Sequence, residues 1–205
     1  MFFKSIRKAG KRPDPLVLTV APAPGIFAGT QIATPKGAVP IEDLRVGDKV
    51  LTSENGSQEI LGLEKGALSV SSHSAAAGHW PLLIPEGVLN NDSPLVVSPS
   101  MRLVLEHDVA GALFGHNCVS VRAETLIGFR GIARAQVARD MAHITLSFSA
   151  PQVVVAQGGI LFDLPDAAQV HSFLPLSDRQ SRLMMREMMA NGRRRPVSRP
   201  SLAWI

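Results

Sequence analysis

Phe27-Ala-Gly-Thr-Gln-Ile-Ala-Thr-Pro-Lys-Gly-Ala-Val-Pro-Ile-Glu-Asp-Leu-Arg-Val-Gly-Asp-Lys-Val-Leu-Thr52 is the stretch that decides the fold. Thr30, Ile32 and Thr34 alternate with Gln31 and Ala33, the pattern of a half-buried strand. Pro35-Lys36-Gly37 reads as a turn, because Pro presets one dihedral and Gly supplies a positive one. Val46-Gly47-Asp48 is a tight turn into a second strand over Lys49–Ser53. Glu54-Asn55-Gly56 is a hairpin signal, with Ser57–Leu61 expected to return as the partner strand.

Working outward, short strands are predicted around Trp80–Ile84, Leu95–Ser98, Arg102–Glu106, Val119–Arg122, Ile144–Ser149 and Val153–Ala156. Strands at this spacing, with turn signals between them, predict an all-β domain. Residues 1–24 read as a basic flexible leader, in which Leu16–Val20 could form a short strand before Ala21-Pro22-Ala23-Pro24 extends the backbone. Residues 66–78 read as a loop or a weak strand pair. Residues 176–192 predict an amphipathic helix: Ser177 caps it, Leu183, Met184, Met188 and Met189 recur at helical spacing, and Gly192 stops it. Such a Met-rich face suits either packing on its own domain or an adaptable docking surface. Residues 193–205 form a basic tail.

The chain has 205 residues and a 45% apolar fraction, enough for one core of ordinary size plus tails. Tyr is absent and aromatics make up 5%, which argues against a base-stacking surface. Residues 1–15 carry a net +4 and residues 191–205 another +4; the whole chain is +4, so residues 16–190 sum to −4. The basic character belongs to the tails, which read as solvated ends or as weak polyanion binders. Cys118 is the only cysteine, so no internal disulfide can form. It reads as a small buried hydrophobe or as a displaced nucleophile. No apolar run reaches the roughly 18 residues of a transmembrane helix. Met1-Phe2-Phe3-Lys4 opens no signal-peptide apolar region, so cytoplasm is the default and signal-independent secretion stays open.

The ordered string F-x-G-T-x-I-x-T-P-x-G-x-x-x-[VI]-E-x-L-x-x-G-D-x-V-x-T resembles the opening of the Hint domain, the self-processing module of inteins and hedgehog proteins. Leu95–Leu105 is similar to that family's second block. Leu113–Leu126 is similar to the segment that follows it in the bacterial branch. Met141–Leu146 and Gln152–Gly158 match its later strands. The resemblance spans residues 25 to 175 and implies a flattened, pseudo-twofold disc of long curved strands. It also implies a chemistry: a first-residue thiol or hydroxyl attacks the preceding carbonyl, and a His protonates the leaving nitrogen. The nucleophile position falls on Gly25, the assisting His on Met101, and a further His on Pro151 with its Glu neighbour on Gln152; His143 alone keeps the family's residue type. Thr30 lies close to Gly25, but no adjacent base is identifiable. Self-processing would release only a short basic peptide.

Two functional readings follow. In the first, the fold has lost self-cleavage and serves as a structural or interaction module for a protein partner, through loops at the vestigial cleft or the Met-rich helix. In the second, the chain cleaves itself near Gly25 with rearranged residues: Cys118, Thr30 or Ser98 attacks, and His143 moves the proton. Gly25→Cys with Met101→His is expected to restore some cleavage if the cleft geometry persists. No cofactor or metal is expected. The six histidines lack metal-site spacing, and Glu106-His107-Asp108 is too small a cluster for zinc. Asp48 reads as a turn residue. Ser98 and Ser100 lack a nucleophile elbow, and Glu42 and Asp43 point to different sides. No phosphate-binding glycine motif is present.

Overall fold

The computed structural model describes residues 25–68, 80–135, 140–166 and 168–191. The leader, the basic tail, most of the predicted 66–78 loop and the Gly192 stop lie outside the described residues. Strands β1 (Ile26–Phe27), β2 (Gln31–Thr34), β3 (Gly37–Pro40), β4 (Lys49–Thr52), β5 (Gly56–Glu59) and β6 (Gly62–Leu68) come first. β7 (Leu82–Ile84), β8 (Leu95–Val97) and β9 (Arg102–Glu106) lead into helix α1 (Asp108–Phe114). β10 (Cys118–Arg122), β11 (Ala133–Arg134), β12 (Met141–Ser147), β13 (Gln152–Val155), β14 (Leu161–Leu164) and β15 (Leu174–Pro175) precede helix α2 (Asp178–Asn191).

Both hairpins of the opening stretch form through the residues that signalled them. Thr34 Oγ1 donates to the Gly37 carbonyl at 2.7 Å and accepts the Lys36 N–H, closing β2 onto β3. Thr52 repeats the device: its Oγ1 donates to the Gly56 carbonyl at 2.8 Å and accepts the Asn55 N–H, closing β4 onto β5. The predicted return strand Ser57–Leu61 does not run through. Ile60 is fully buried between β5 and β6, bonding through both backbone groups to the Gly47–Asp48 turn, and the chain leaves one sheet there and enters another. Gly66–Leu68, read as part of a loop or a weak strand pair, is the end of β6.

The main sheet has seven strands in the order β15-β10-β9-β14-β13-β4-β5, and a three-stranded sheet has the order β1-β12-β6. Val153-Val154-Val155 on β13 is buried on both faces, which suits a run of β-branched residues. Val154 joins the principal core with Ile32, Val50, Leu103 and Phe162. Val153 and Val155 join Val104 and Leu161 in a second cluster on the opposite face.

Helix α1 carries no periodicity long enough to announce it. His107 caps it, its Nδ1 accepting the Val109 N–H at 3.0 Å, and Gly115 ends it at φ 77°. Helix α2 begins with a reciprocal capping box: Ser177 Oγ accepts the Gln180 N–H while Gln180 Oε1 accepts the Ser177 N–H. Its buried stripe is Ser181, Met184, Met185 and Met188. The expected stripe is thus rotated, with Met185 inward and Met189 out, because positions one turn and two turns from Ser181 define the face. The helix packs on β10, α1 and the 3-10 turn Ala123–Leu126. Among the described residues, no helix is long and apolar enough to cross a membrane.

Candidate functional site

β12 places His143 at the centre of the three-stranded sheet, opposite Phe27 of β1 on one side and Gly66 of β6 on the other. The imidazole lies in a slot that two glycines leave open. A Cβ on Gly25 would collide with His143 Nδ1 and come within 2.8 Å of its Cγ and 3.0 Å of its Cβ. A Cβ on Gly66 would come within 2.6 Å of Cε1 and 2.7 Å of Nε2. The ring therefore occupies the volume that a side chain at residue 25 would need. Among the described residues, its buried Nδ1 has no hydrogen-bond partner.

The structure brings Gly25 and His143 together; the other expected positions serve the scaffold. Met101, 1% exposed, belongs to the principal core, and its carbonyl accepts the Ala123 N–H at 2.8 Å. It follows β8, which packs against β1. Thr30 is buried, and its carbonyl accepts the Ile41 N–H. Pro151 is half-buried at the start of β13, and the adjacent Gln152 side chain accepts from Asn55 Nδ2 at 3.0 Å, bolting the strand to the β4–β5 hairpin. Glu42 and Asp48 are turn clamps: Glu42 accepts the Gly29 N–H at 2.8 Å and Asp48 the Arg45 N–H at 2.8 Å.

The rearranged nucleophiles are poorly equipped. Ser98 Oγ lies 3.0 Å from Ser100 Oγ. Cys118 sits on β10 in the main sheet and packs on the second apolar cluster. Burial, then Glu106 and Glu54, push its thiol above the ordinary value, away from the reactive thiolate. His107 is spent on its cap, and burial holds its imidazole below the ordinary range against the pull of Asp108. Among the described residues, no three His, Cys, Asp or Glu side chains cluster as metal ligands would.

Sequence reasoning missed a second polar cluster. Asp163 on β14 has a fully buried carboxylate, with His171 Nδ1 at 2.8 Å from Oδ2. The pair is close but misaligned, and among the described residues neither carboxylate oxygen accepts a hydrogen bond. Arg102 on β9 lies near enough for Asp163 to favour its charge, although burial, the larger influence, lowers its pKa. Arg102 donates instead to Ser120 Oγ at 2.9 Å, the Ser120 carbonyl at 2.8 Å and the Leu176 carbonyl at 3.1 Å. It thereby staples the lead-in of α2 to the sheet. Only the alternation on β14, which turns Asp163 to the same side as Leu161, signals an inward carboxylate.

A model of the Hint domain matches residues 24–161, and the chain belongs to that family. Its all-β architecture with a short C-terminal helix is Hint-like. Among solved structures, the MchDnaB-1 intein is similar at 12% identity and a TM-score of 0.44, over 67% of this chain and 98% of that one. A splice-inactive variant of the AceL NrdHF class 3 split intein is similar at 15% identity and a TM-score of 0.44, over 70% and 98%. The gp41-1 intein follows at 16% and 0.39, over 68% and 98%. No curated protein matches the chain.

Proposed function

We propose that this chain is a Hint-fold protein that has lost self-cleavage and works as a structural or protein-interaction module. One observation carries the reading: the imidazole of His143 fills the space a nucleophilic side chain at residue 25 would occupy. A group that attacks the preceding carbonyl has no place to stand. The burial of Met101 in the core and the raised thiol of Cys118 support the same conclusion. The loops around the Gly25–His143 slot are the surface offered to a protein partner. The test is the intact mass of purified protein, incubated with and without a thiol at acidic and neutral pH. The expected result is a persistent 21.9 kDa species. A fragment beginning at residue 25 or 26 would sink the proposal.

The competing reading, autoprocessing near Gly25, draws on the unpartnered Nδ1 of His143 beside that glycine. It requires Thr30, Ser98 or Cys118 to reach the peptide bond while His143 moves the proton. Under it, the mass experiment yields the fragment and His143→Ala abolishes it.

A further inference from the structure

Helix α2 turns its buried methionines inward and leaves Arg179, Arg182 and Arg186 exposed. Spacings of three and four put the three arginines on one stripe. Among the described residues, none of them enters a salt bridge, whereas nearby Arg122 is held by Glu124 at 2.6 Å and reaches Asp178 at 3.8 Å. The stripe is locally unfavourable. Arg182 and Arg186 repel across one turn, and Arg179 sits in the first turn, at the positive end of the helix dipole. Asp178, four residues before Arg182, offsets part of this cost, but Arg179 and Arg186 have no acidic residue three or four positions away on the helix, and three exposed guanidiniums on one stripe suit an anionic ligand outside.

The chemistry of the surroundings selects the ligand. Leu113 of α1 is 40% exposed, Ile127 at the end of the 3-10 turn 44%, and Met189 of α2 51%. α1 and the turn are elements that pack against α2. A duplex nucleic acid meets a protein through phosphates and offers no apolar layer at its surface. A bilayer interface offers anionic head groups and an acyl boundary together. From residue 176 onward the sequence carries seven arginines and no lysine, together with Leu202, Trp204 and Ile205. Guanidinium forks suit phosphate and carboxylate groups, and Trp suits the membrane–water boundary.

We propose that the exposed face of α2, through Arg179, Arg182 and Arg186, docks on an anionic lipid surface. The proposal goes beyond the module reading and does not depend on whether the chain cleaves itself.

The test is co-sedimentation of the full chain with vesicles of phosphatidylcholine alone and of phosphatidylcholine mixed with phosphatidylserine. Pelleting is expected with the anionic vesicles alone, declining as salt rises above about 0.1 M. Arg179→Gln, Arg182→Gln and Arg186→Gln are each expected to weaken partitioning about five-fold, on the order of a hundred-fold together. Circular dichroism should stay at the parent spectrum and the melting temperature at or slightly above the parent value, since all three side chains are exposed and their mutual repulsion is removed. Equal pelleting of the parent and the triple variant would overturn the assignment to this helix. So would absence of pelleting with anionic vesicles. Binding to a short DNA duplex without pelleting would overturn it in favour of a nucleic acid.

Discussion

Gly25→Ala is the smallest change that tests the slot. The added carbon would stand 2.8 Å from His143 Cγ and 3.0 Å from its Cβ, and closer still to Nδ1. Carbon atoms rest at about 3.5–4.0 Å, so the ring has to retreat by roughly half an ångström or more. The strain should cost about 1–3 kcal/mol, the range for overpacking. Without the ring the sign reverses. In a His143→Ala background, Gly25→Ala should be neutral or stabilise by about 0.4–1 kcal/mol, the usual benefit of restricting an unfolded glycine. Urea unfolding of the four proteins gives the coupling energy, expected at about 1–3 kcal/mol. Parent-like stability for Gly25→Ala alone, or an equal loss in both backgrounds, would refute the slot. The same obstruction bears on Gly25→Cys with Met101→His. The thiol has no room, and the new imidazole would be buried in the core at a cost of about 1–3 kcal/mol if unsatisfied. That double variant is now expected to stay intact in hydroxylamine or dithiothreitol.

His107 gives a pH signature. Its folded pKa is depressed by burial below the ordinary 6.5, so the unfolded chain takes the proton first. The cap on α1, about 1 kcal/mol, is therefore complete above pH ~6.5 and lost as pH falls through the lower folded value. His107→Asn should keep the cap and flatten that part of a stability–pH profile, while His107→Ala should lose it at every pH. Cys118 should react with iodoacetamide more slowly than free cysteine at neutral pH and speed up at alkaline pH; rapid neutral labelling, read by mass, would contradict its raised thiol. Ser177→Ala removes the capping box of α2 and should cost about 0.5–2 kcal/mol in urea unfolding, with no change in intact mass.

The parts of the fold legible in the sequence are those whose cause is local. Thr34 and Gly37, like Thr52 and Gly56, make their turns within a few residues of chain. Ser177 and Gln180 cap α2 from three residues apart. The rest has causes at long range. Nothing near Ile60 marks the exchange of sheets, which is fixed by the turn at Gly47 and by Ser147, whose carbonyl takes the Leu61 N–H. The seven residues of α1 are too few to show a period. Of the candidate site, the resemblance to the Hint motif pointed to Gly25 and His143. Their contact, and the part of Gly66 in it, needed β1, β12 and β6 set side by side. Asp163 and His171 escaped because a strand and a loop bring them together.

Ile60 makes the two sheets mechanically one. Its N–H and carbonyl are both tied to the Gly47–Asp48 turn, the next residue's N–H bonds to Ser147, and its side chain sits in the shared core, so melting one sheet is expected to disturb the other. Amides of β12 and of β9 should then exchange with deuterium in a single cooperative event. A disturbance at the histidine slot should loosen the far end of the molecule to the same degree.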